Sequence, residues 1–253
     1  MKKNIVIYGI NGFIGKHLKK KLKNFKIYDF EKIQNKNFIH PFFFIHLAQK
    51  TRSKKNILEP NIQSLIQGLE YCKNKNCTFI YFSSLDANKK NSKDNYLFSK
   101  YLSEEICKIY KKIFKINILI LKITNVYGPQ QKKKFIIPKI ISQLKLSKIK
   151  LMNLDTKRDF IHIDDIISLI KKISVFKKKK ITFNIGTGKS TSIRSLIEII
   201  ENITKKKFYV ENKNIYNANE LKISKANLGM TKKILKWKHT ISIELGLKKI
   251  LNK

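Results

Sequence analysis

The chain has 253 residues, 42% of them hydrophobic and 11% aromatic, enough to bury a core without disulfide or metal staples and too apolar for intrinsic disorder. Its 55 basic residues against 17 acidic ones give a net charge of +38, yet only Arg52, Arg158 and Arg194 are arginine. The lysines run along the whole chain beside abundant Asn, Ile, Phe and Tyr, a composition of A/T-rich codons, so the charge reads as a solvated surface and no nucleic-acid partner is expected. No apolar run, Ile116–Ile123 and Phe42–Leu47 included, approaches the roughly 18 residues of a membrane span. The apolar run after Met1–Lys3 stops at Asn11, so no signal peptide is expected. Cys72, Cys77 and Cys107 are odd in number and lack metal-type spacing, which points to a reducing cytoplasm and to no metal site.

Taken in chain order, short β-like runs alternate with helical stretches, the pattern of a parallel α/β sheet. Strands are predicted at Asn4–Tyr8, Lys26–Tyr28, Phe42–His46, Thr78–Phe82, Asn117–Lys122 and Thr182–Ile185. Most are continuous apolar runs, as in strands covered on both faces. Ile62, Leu65, Ile66 and Leu69 recur at helical spacing, as do Leu102, Ile106, Ile109 and Ile113. Thr191 or Ser192 is placed to cap a helix carrying Leu196, Ile197, Ile200 and Ile203. Loops are expected at the lysine runs 132–134, 177–180 and 205–207. Residues from Gly128 to about Leu154, and the tail after Thr187, break the alternation and are expected to form a second lobe.

The first strand runs into Gly9-Ile10-Asn11-Gly12-Phe13-Ile14-Gly15. A strand, three glycines and a basic helix suit a dinucleotide-binding turn, with the pyrophosphate on the helix N-terminus. Asp29 ends the second strand twenty residues after Gly9, where a carboxylate accepts from the ribose hydroxyls and repels a 2′-phosphate. That favours NAD over NADP; Glu31 is an alternative acid nearby. Tyr96 and Lys100 stand at i and i+4, on one face of a helix. Free tyrosine has a pKa near 10, and an adjacent ammonium favours the phenolate that a general base requires. Ser83 and Ser84 end the fourth strand, where a hydroxyl can hold the substrate hydroxyl that Tyr96 deprotonates.

With these motifs in this order the chain resembles the extended short-chain dehydrogenase/reductases, the NAD-dependent sugar epimerase/dehydratase group. The resemblance also rests on His46-Leu47-Ala48, Asn61 opening a helix, Asn125-Val126-Tyr127-Gly128-Pro129, Arg158-Asp159-Phe160-Ile161-His162-Ile163-Asp164-Asp165, Phe183–Gly188, Trp237 and Leu245-Gly246-Leu247. It implies a Rossmann-type doubly wound parallel sheet with a small C-terminal substrate-binding lobe. The NAD-binding domain is expected over 1–127 and about 155–187, and the lobe over about 128–154 and 188–253. By this resemblance Gly9, Gly12, Phe13, Ile14, Gly15, Asp29, Leu47, Ala48, Gln49, Asn61, Tyr96 and Lys100 hold NAD. Tyr96, Lys100, Ser83 and Ser84 are the catalytic set, and Ser84, Asn125 and Arg158 contact the substrate.

Arg158 would grip a nucleotide diphosphate, unless it pairs with Asp159 or Asp155. Asp164 and Asp165 are read as helix caps, His162 as structural, and Gly186–Gly188 as a loop at the lobe junction. The expected partners are a nucleotide-diphosphate sugar and a second copy of the chain, paired through the helices over 61–71 and 96–113; no membrane partner is expected. The chain departs from the family in length. Little room is left after Asp29 for the usual third strand, where Asn37-Phe38 stands in for an adenine-contacting acid. Leu85-Asp86 follows Ser84 where dehydratases carry an Asp-Glu pair, which argues against dehydratase chemistry. The expected activity is C4 epimerisation, with 4-ketoreduction or dehydrogenation by the same residues as the alternative. A non-catalytic dinucleotide- or RNA-binding protein on this scaffold is the third reading.

Overall fold

The computed structural model describes residues 2–33, 39–51, 56–88, 94–146, 148–174, 182–213 and 223–252. Asn37-Phe38 and the 177–180 loop lie outside the described residues. In chain order, β1 (Lys3–Tyr8), α1 (Phe13–Lys21), β2 (Phe25–Asp29), α2 (Phe30–Ile33), β3 (Phe43–His46), α3 (Leu58–Cys72), β4 (Thr78–Ser84), α4 (Asn95–Phe114) and β5 (Asn117–Ile123) alternate. There follow β6 (Asn125–Tyr127), α5 (Ile136–Gln143), β7 (Lys148–Met152), β8 (Lys157–Arg158), β9 (Phe160–His162) and α6 (Ile163–Ile173). Then come β10 (Thr182–Ile185), β11 (Thr191–Ser192), α7 (Ile193–Thr204), β12 (Tyr209–Lys213), β13 (Ile223–Ser224), α8 (Gly229–Leu235) and α9 (Ile243–Leu251).

Two compact units result. The first, Met1–Ile123 with Ser174–Asn184, is built on a six-stranded sheet in the order β10-β5-β4-β3-β1-β2. The pairs β1–β2, β1–β3, β3–β4 and β4–β5 are all parallel. This is the expected Rossmann-type α/β sheet. The middles of its inner strands are apolar because helices cover them: Ile5, Val6, Ile7, Phe44, Ile45, Phe79, Ile80 and Ile120 are completely buried, whereas the edge strand β2 has no buried residue. Gly68 lets α3 lie close on this sheet, since a Cβ there would sit 2.9 Å from the Phe44 ring. The strand after β1 lies on one side of it and the next on the other, so connection order reverses between β1 and β3. Ligands of open α/β sheets bind at such a reversal. β2 is one end of the sheet, consistent with the shortened segment after Asp29.

The second unit, Thr124–Ile173 with Ile185–Lys253, holds nearly half of the chain. Residues 155–173, which the sequence reading grouped with the dinucleotide-binding part, pack here. Its core joins Ile137 and Ile140 of α5, Ile149 and Leu151 of β7, Leu196 and Ile200 of α7, and Leu247 of α9. Ser192 caps α7, its hydroxyl accepting from Ser195 N, as one of the two expected caps. Tyr127 is buried beneath α9, and only a glycine fits opposite it. A Cβ on Gly246 would lie 2.0 Å from the Tyr127 hydroxyl.

Candidate active site

The first unit assembles most of the expected site. Gly9 has φ +87°, a region that strains any side chain. A Cβ there would lie 2.7 Å from Ala48 N and 2.8 Å from the Leu47 carbonyl carbon, so the turn presses directly on the chain leaving β3. A Cβ on Gly15 would lie 2.5 Å from Gly9 O and 2.6 Å from Ile10 O, so that glycine lets α1 seat on the turn. Gly12 N donates to Gly9 O at 3.1 Å, and Gly12 is the residue that leads into α1. No side chain caps this helix and its first turn carries no acid. The amides of Phe13, Ile14 and Gly15 therefore lie at an uncapped positive helix end. Asp29 ends β2 opposite Ile7, at the same edge of the sheet. Its Oδ1 accepts from Glu31 N at 3.3 Å. Of the two candidate acids, Asp29 is the strand-end residue; Glu31 lies in α2 and is exposed.

Hydrogen bonds run from this turn to α4. Leu47 N donates to Tyr8 O at 2.8 Å, and the Ser64 hydroxyl donates to Ala48 O at 2.8 Å. Gln49 Nε2 donates to the Tyr81 hydroxyl at 2.9 Å, while Gln49 Oε1 is buried with no hydrogen-bond partner among the described residues. Asn61, in the first turn of α3, is 1% exposed. Its Oδ1 accepts from Lys50 N at 2.7 Å, and Nδ2 donates to Lys50 O at 3.2 Å and Ser99 Oγ at 3.1 Å. Its amide is thus spent on fixing the 48–50 segment and α4.

Asp94 caps α4, its carboxylate accepting from the amides of Tyr96 and Leu97 at 3.0 Å. That cap places Tyr96 in the first turn, half-buried, and Lys100 one turn on, buried. Lys100 Nζ donates to Phe82 O and lies 5.7 Å from the Tyr96 ring centre and 4.9 Å from that of Tyr81. Burial pushes the Lys100 ammonium down to about 7, with Glu104 pulling it back upward. The two serines diverge, as adjacent strand residues must. Ser84 is half-buried, its Oγ accepting from Asp86 N at 3.4 Å. Ser83 is buried and donates to Glu104 Oε1. Glu104 also takes Lys122 Nζ at 2.9 and 3.0 Å. Sequence reasoning missed both charges, although Glu104 continues the Tyr96, Lys100 face by four more residues.

Asn125 and Arg158 lie in the second unit. Asn125 N donates to Asp159 O at 3.0 Å and its side-chain amide reaches the same oxygen at 3.4 Å. Arg158 is half-buried in β8, between β11 and β13, and its Nη1 donates to Lys157 O. The acids proposed as its alternative partners are otherwise engaged: Asp155 pairs with Arg194 at 3.2 Å. Asp159, fully buried, accepts from Thr187 N, Thr187 Oγ1, Gly188 N and Ala226 N. The loop expected at Gly186–Gly188 is therefore tied to Asp159. Asp164 and Asp165, expected as caps, instead lie inside the first turn of α6, because the helix already begins at Ile163, and the Asp164 amide donates to His162 Nδ1 at 3.2 Å; Asp165 is bonded elsewhere. It reaches across to accept from Thr240 N, Thr240 Oγ1 and Ile241 N. His162 is buried against Tyr127, in keeping with a structural place.

A family model described as "NAD dependent epimerase/dehydratase family" matches residues 39–186, more than half of the chain. The chain belongs to that family. Similar curated relatives are the UDP-glucuronate 4-epimerase of Thermodesulfobacterium geofontis (28% identical over 92% of this chain and 80% of the relative) and a CDP-abequose synthase of Salmonella typhimurium (24% identical over 100% and 99%). The dTDP-4-dehydro-6-deoxyglucose reductase of Escherichia coli is 26% identical over 82% and 73%. Two solved structures share the fold. RMD from Pseudomonas aeruginosa, complexed with NADPH, has TM-score 0.87 at 22% identity, covering 99% of this chain and 98% of that one. UDP-glucuronic acid 4-epimerase from Bacillus cereus, with UDP-glucuronic acid and NAD, has TM-score 0.85 at 23% identity and 98% of each chain.

As a member of the NAD dependent epimerase/dehydratase family, the chain is an NAD-dependent enzyme of the nucleotide-sugar epimerase, dehydratase and reductase group. The residues present suit the cofactor: the Gly9–Gly15 turn is a cradle that any Cβ at Gly9 or Gly15 would fill, and it ends on uncapped amides. Among the described residues no group of His, Cys, Asp and Glu is placed to hold a metal ion. Nor is any helix among them long and apolar enough to cross a membrane.

Proposed function

We propose that this enzyme inverts C4 of a nucleotide-diphosphate hexose through a keto intermediate. The observation that carries the reading is the placement of Lys100. Its buried ammonium is held by Phe82 O beside the half-buried Tyr96 ring, at the end of the strand that carries Ser84. Bound NAD supplies a hydride acceptor and donor. Tyr96 takes the proton of the C4 hydroxyl, and Lys100 favours the phenolate form. Ser84 holds the same hydroxyl. Tyr96 returns the proton when the keto sugar is reduced on its other face. Phe13, Ile14 and Gly15 bind the pyrophosphate, Asp29 the adenosine ribose, and the Leu47–Gln49 segment lines the cofactor. Asn125 and Arg158 contact the substrate, Arg158 by gripping its diphosphate.

A dehydratase is disfavoured because Ser84 is followed by Leu85 and Asp86, which offer one carboxylate where water expulsion needs an acid pair. The reductase reading has specific support. Two reductases are among the relatives, acting by name on a dTDP-4-dehydro sugar and a GDP-6-deoxy sugar. Ile66 of α3 and Ile109 and Ile113 of α4 are exposed, which supports a homodimer through these helices. Buried free cysteines and nucleotide-sugar chemistry suit a cytoplasmic enzyme.

The test is to purify the protein in high salt, denature it and identify released dinucleotide by mass spectrometry. Stoichiometric NAD followed by C4 inversion of a supplied nucleotide hexose is the expected result. An empty site that binds added NADH and reduces a 4-keto sugar establishes the reductase instead. Binding of neither cofactor overturns both.

A further inference from the structure

Three side chains follow one face of α4 at intervals of four: Tyr96, Lys100 and Glu104. Lys100 and Glu104 are 5% and 6% exposed. β4 receives them on consecutive residues, Lys100 Nζ donating to Phe82 O and Ser83 Oγ donating to Glu104 Oε1. Lys122 of β5 closes the arrangement. It donates to both Glu104 oxygens and, at 2.9 Å, to Ala87 O in the turn after β4. Ser84 lies between the two anchor points, Ser83 and Ala87.

The surroundings of Lys100 leave few charges to act on it. His46 of β3 is completely buried and held neutral, pushed down to about 3. Tyr81 of β4 and the Cys107 thiol of α4 are pushed upward by burial, so both are neutral at pH 7. Tyr96 faces it from its own helix. Lys122 meets the same carboxylate from β5. Glu104 is the negative charge in this set. Lys100, a second ammonium and a buried one, stands one helical turn from Glu104, beside the proposed base.

We propose that Glu104 is a positioning residue for the Tyr96–Lys100 pair: its carboxylate is the counter-charge that keeps Lys100 an ammonium, and through Ser83 it fixes the end of β4 that carries Ser84. The inference rests on the proposed function in taking Tyr96 and Lys100 as the working pair. Its physical content is testable without cofactor or substrate. The Lys100 Cε signal, assigned by its absence in Lys100→Met, is titrated by NMR in the cofactor-free wild type and in Glu104→Gln. Loss of the carboxylate is expected to lower the Lys100 titration midpoint by about one pH unit or more. The alkaline limb of the turnover profile is expected to move down with it.

An unchanged midpoint in folded Glu104→Gln, with loss of thermal stability alone, overturns the proposal. Should that variant fail to fold because Lys122 is left unpaired, Glu104→Gln combined with Lys122→Met removes the orphan charge and is held to the same criterion. A shifted midpoint in a protein that turns over no nucleotide sugar leaves this inference standing and sinks the proposed function. An unshifted midpoint in an active enzyme does the reverse.

Discussion

The two units bury carboxylates for different ends. In the first, Glu104 meets charge: Lys122 is bonded to it and Lys100 stands nearby on the same helix. In the second, Asp159 and Asp165 meet mostly neutral donors, backbone amides and a threonine hydroxyl each. A carboxylate satisfied by amides ties distant loops together. One that pairs with an ammonium and a hydroxyl also places a charge that raises the proton affinity of the neighbouring Lys100. The contrast separates a part of the molecule suited to proton chemistry from one suited to holding a shape.

The comparison is broken most directly at Tyr96. Tyr96→Phe is expected to lower turnover by about a thousandfold with unchanged folding, since general acid–base groups contribute 10²–10⁴-fold. Retained turnover in a coupled epimerase or reductase assay would remove proton chemistry from the first unit. On the other side, Asp159→Ala leaves the amides of Thr187, Gly188 and Ala226 without their acceptor around a fully buried position, while the Thr187 hydroxyl keeps Lys189 O. A loss of about 3–5 kcal/mol in urea unfolding is expected. A loss below about 1 kcal/mol would show that Asp159 is not the knot described here.

Lys100→Met sharpens the contrast by its sign. The folded protein lowers the Lys100 proton affinity to about 7, against about 10.5 in the unfolded chain. Between those values the unfolded state binds more protons at this lysine, so the contribution of Lys100 to stability rises with pH through that window and is lowest below pH 7. The methionine variant lacks that penalty. It is expected to be inactive yet more stable by on the order of 2–4 kcal/mol at pH 6, the gain shrinking towards pH 10. Thermal melts at the two pH values check this. The smallest effect is expected at Arg194, whose pair with Asp155 is exposed on both sides. Arg194→Ala is expected to change unfolding free energy by less than about 0.5 kcal/mol.

Much of the first unit was legible in the sequence. Its strands are apolar runs because both faces are covered, and each predicted run is a strand to within one or two residues. The three glycines, the Tyr96/Lys100 interval and the strand-end Asp29 are local patterns, and local patterns survive folding. Ser83 and Ser84 were read as one pair, and the pleat of β4 sends them to opposite faces. The resemblance implies Asn61 as a cofactor contact, while the bonds of its side-chain amide to Lys50 and Ser99 are visible only in the fold. Glu104 and Lys122 carry no local pattern that marks them as buried, because their partners come from other elements.

The sequence by itself determined the alternation of elements, the turn geometry that only glycine permits at Gly9, and the helical spacing that puts Tyr96 and Lys100 on one face. These follow from backbone sterics and periodicity over a few residues. Tertiary structure alone decided which carboxylates are buried and what satisfies them. Asp159 joins residues up to 67 positions away, and Asp165 up to 76. Burial changes the cost of a charge by its surroundings, and for these groups the surroundings are brought by other elements of the chain.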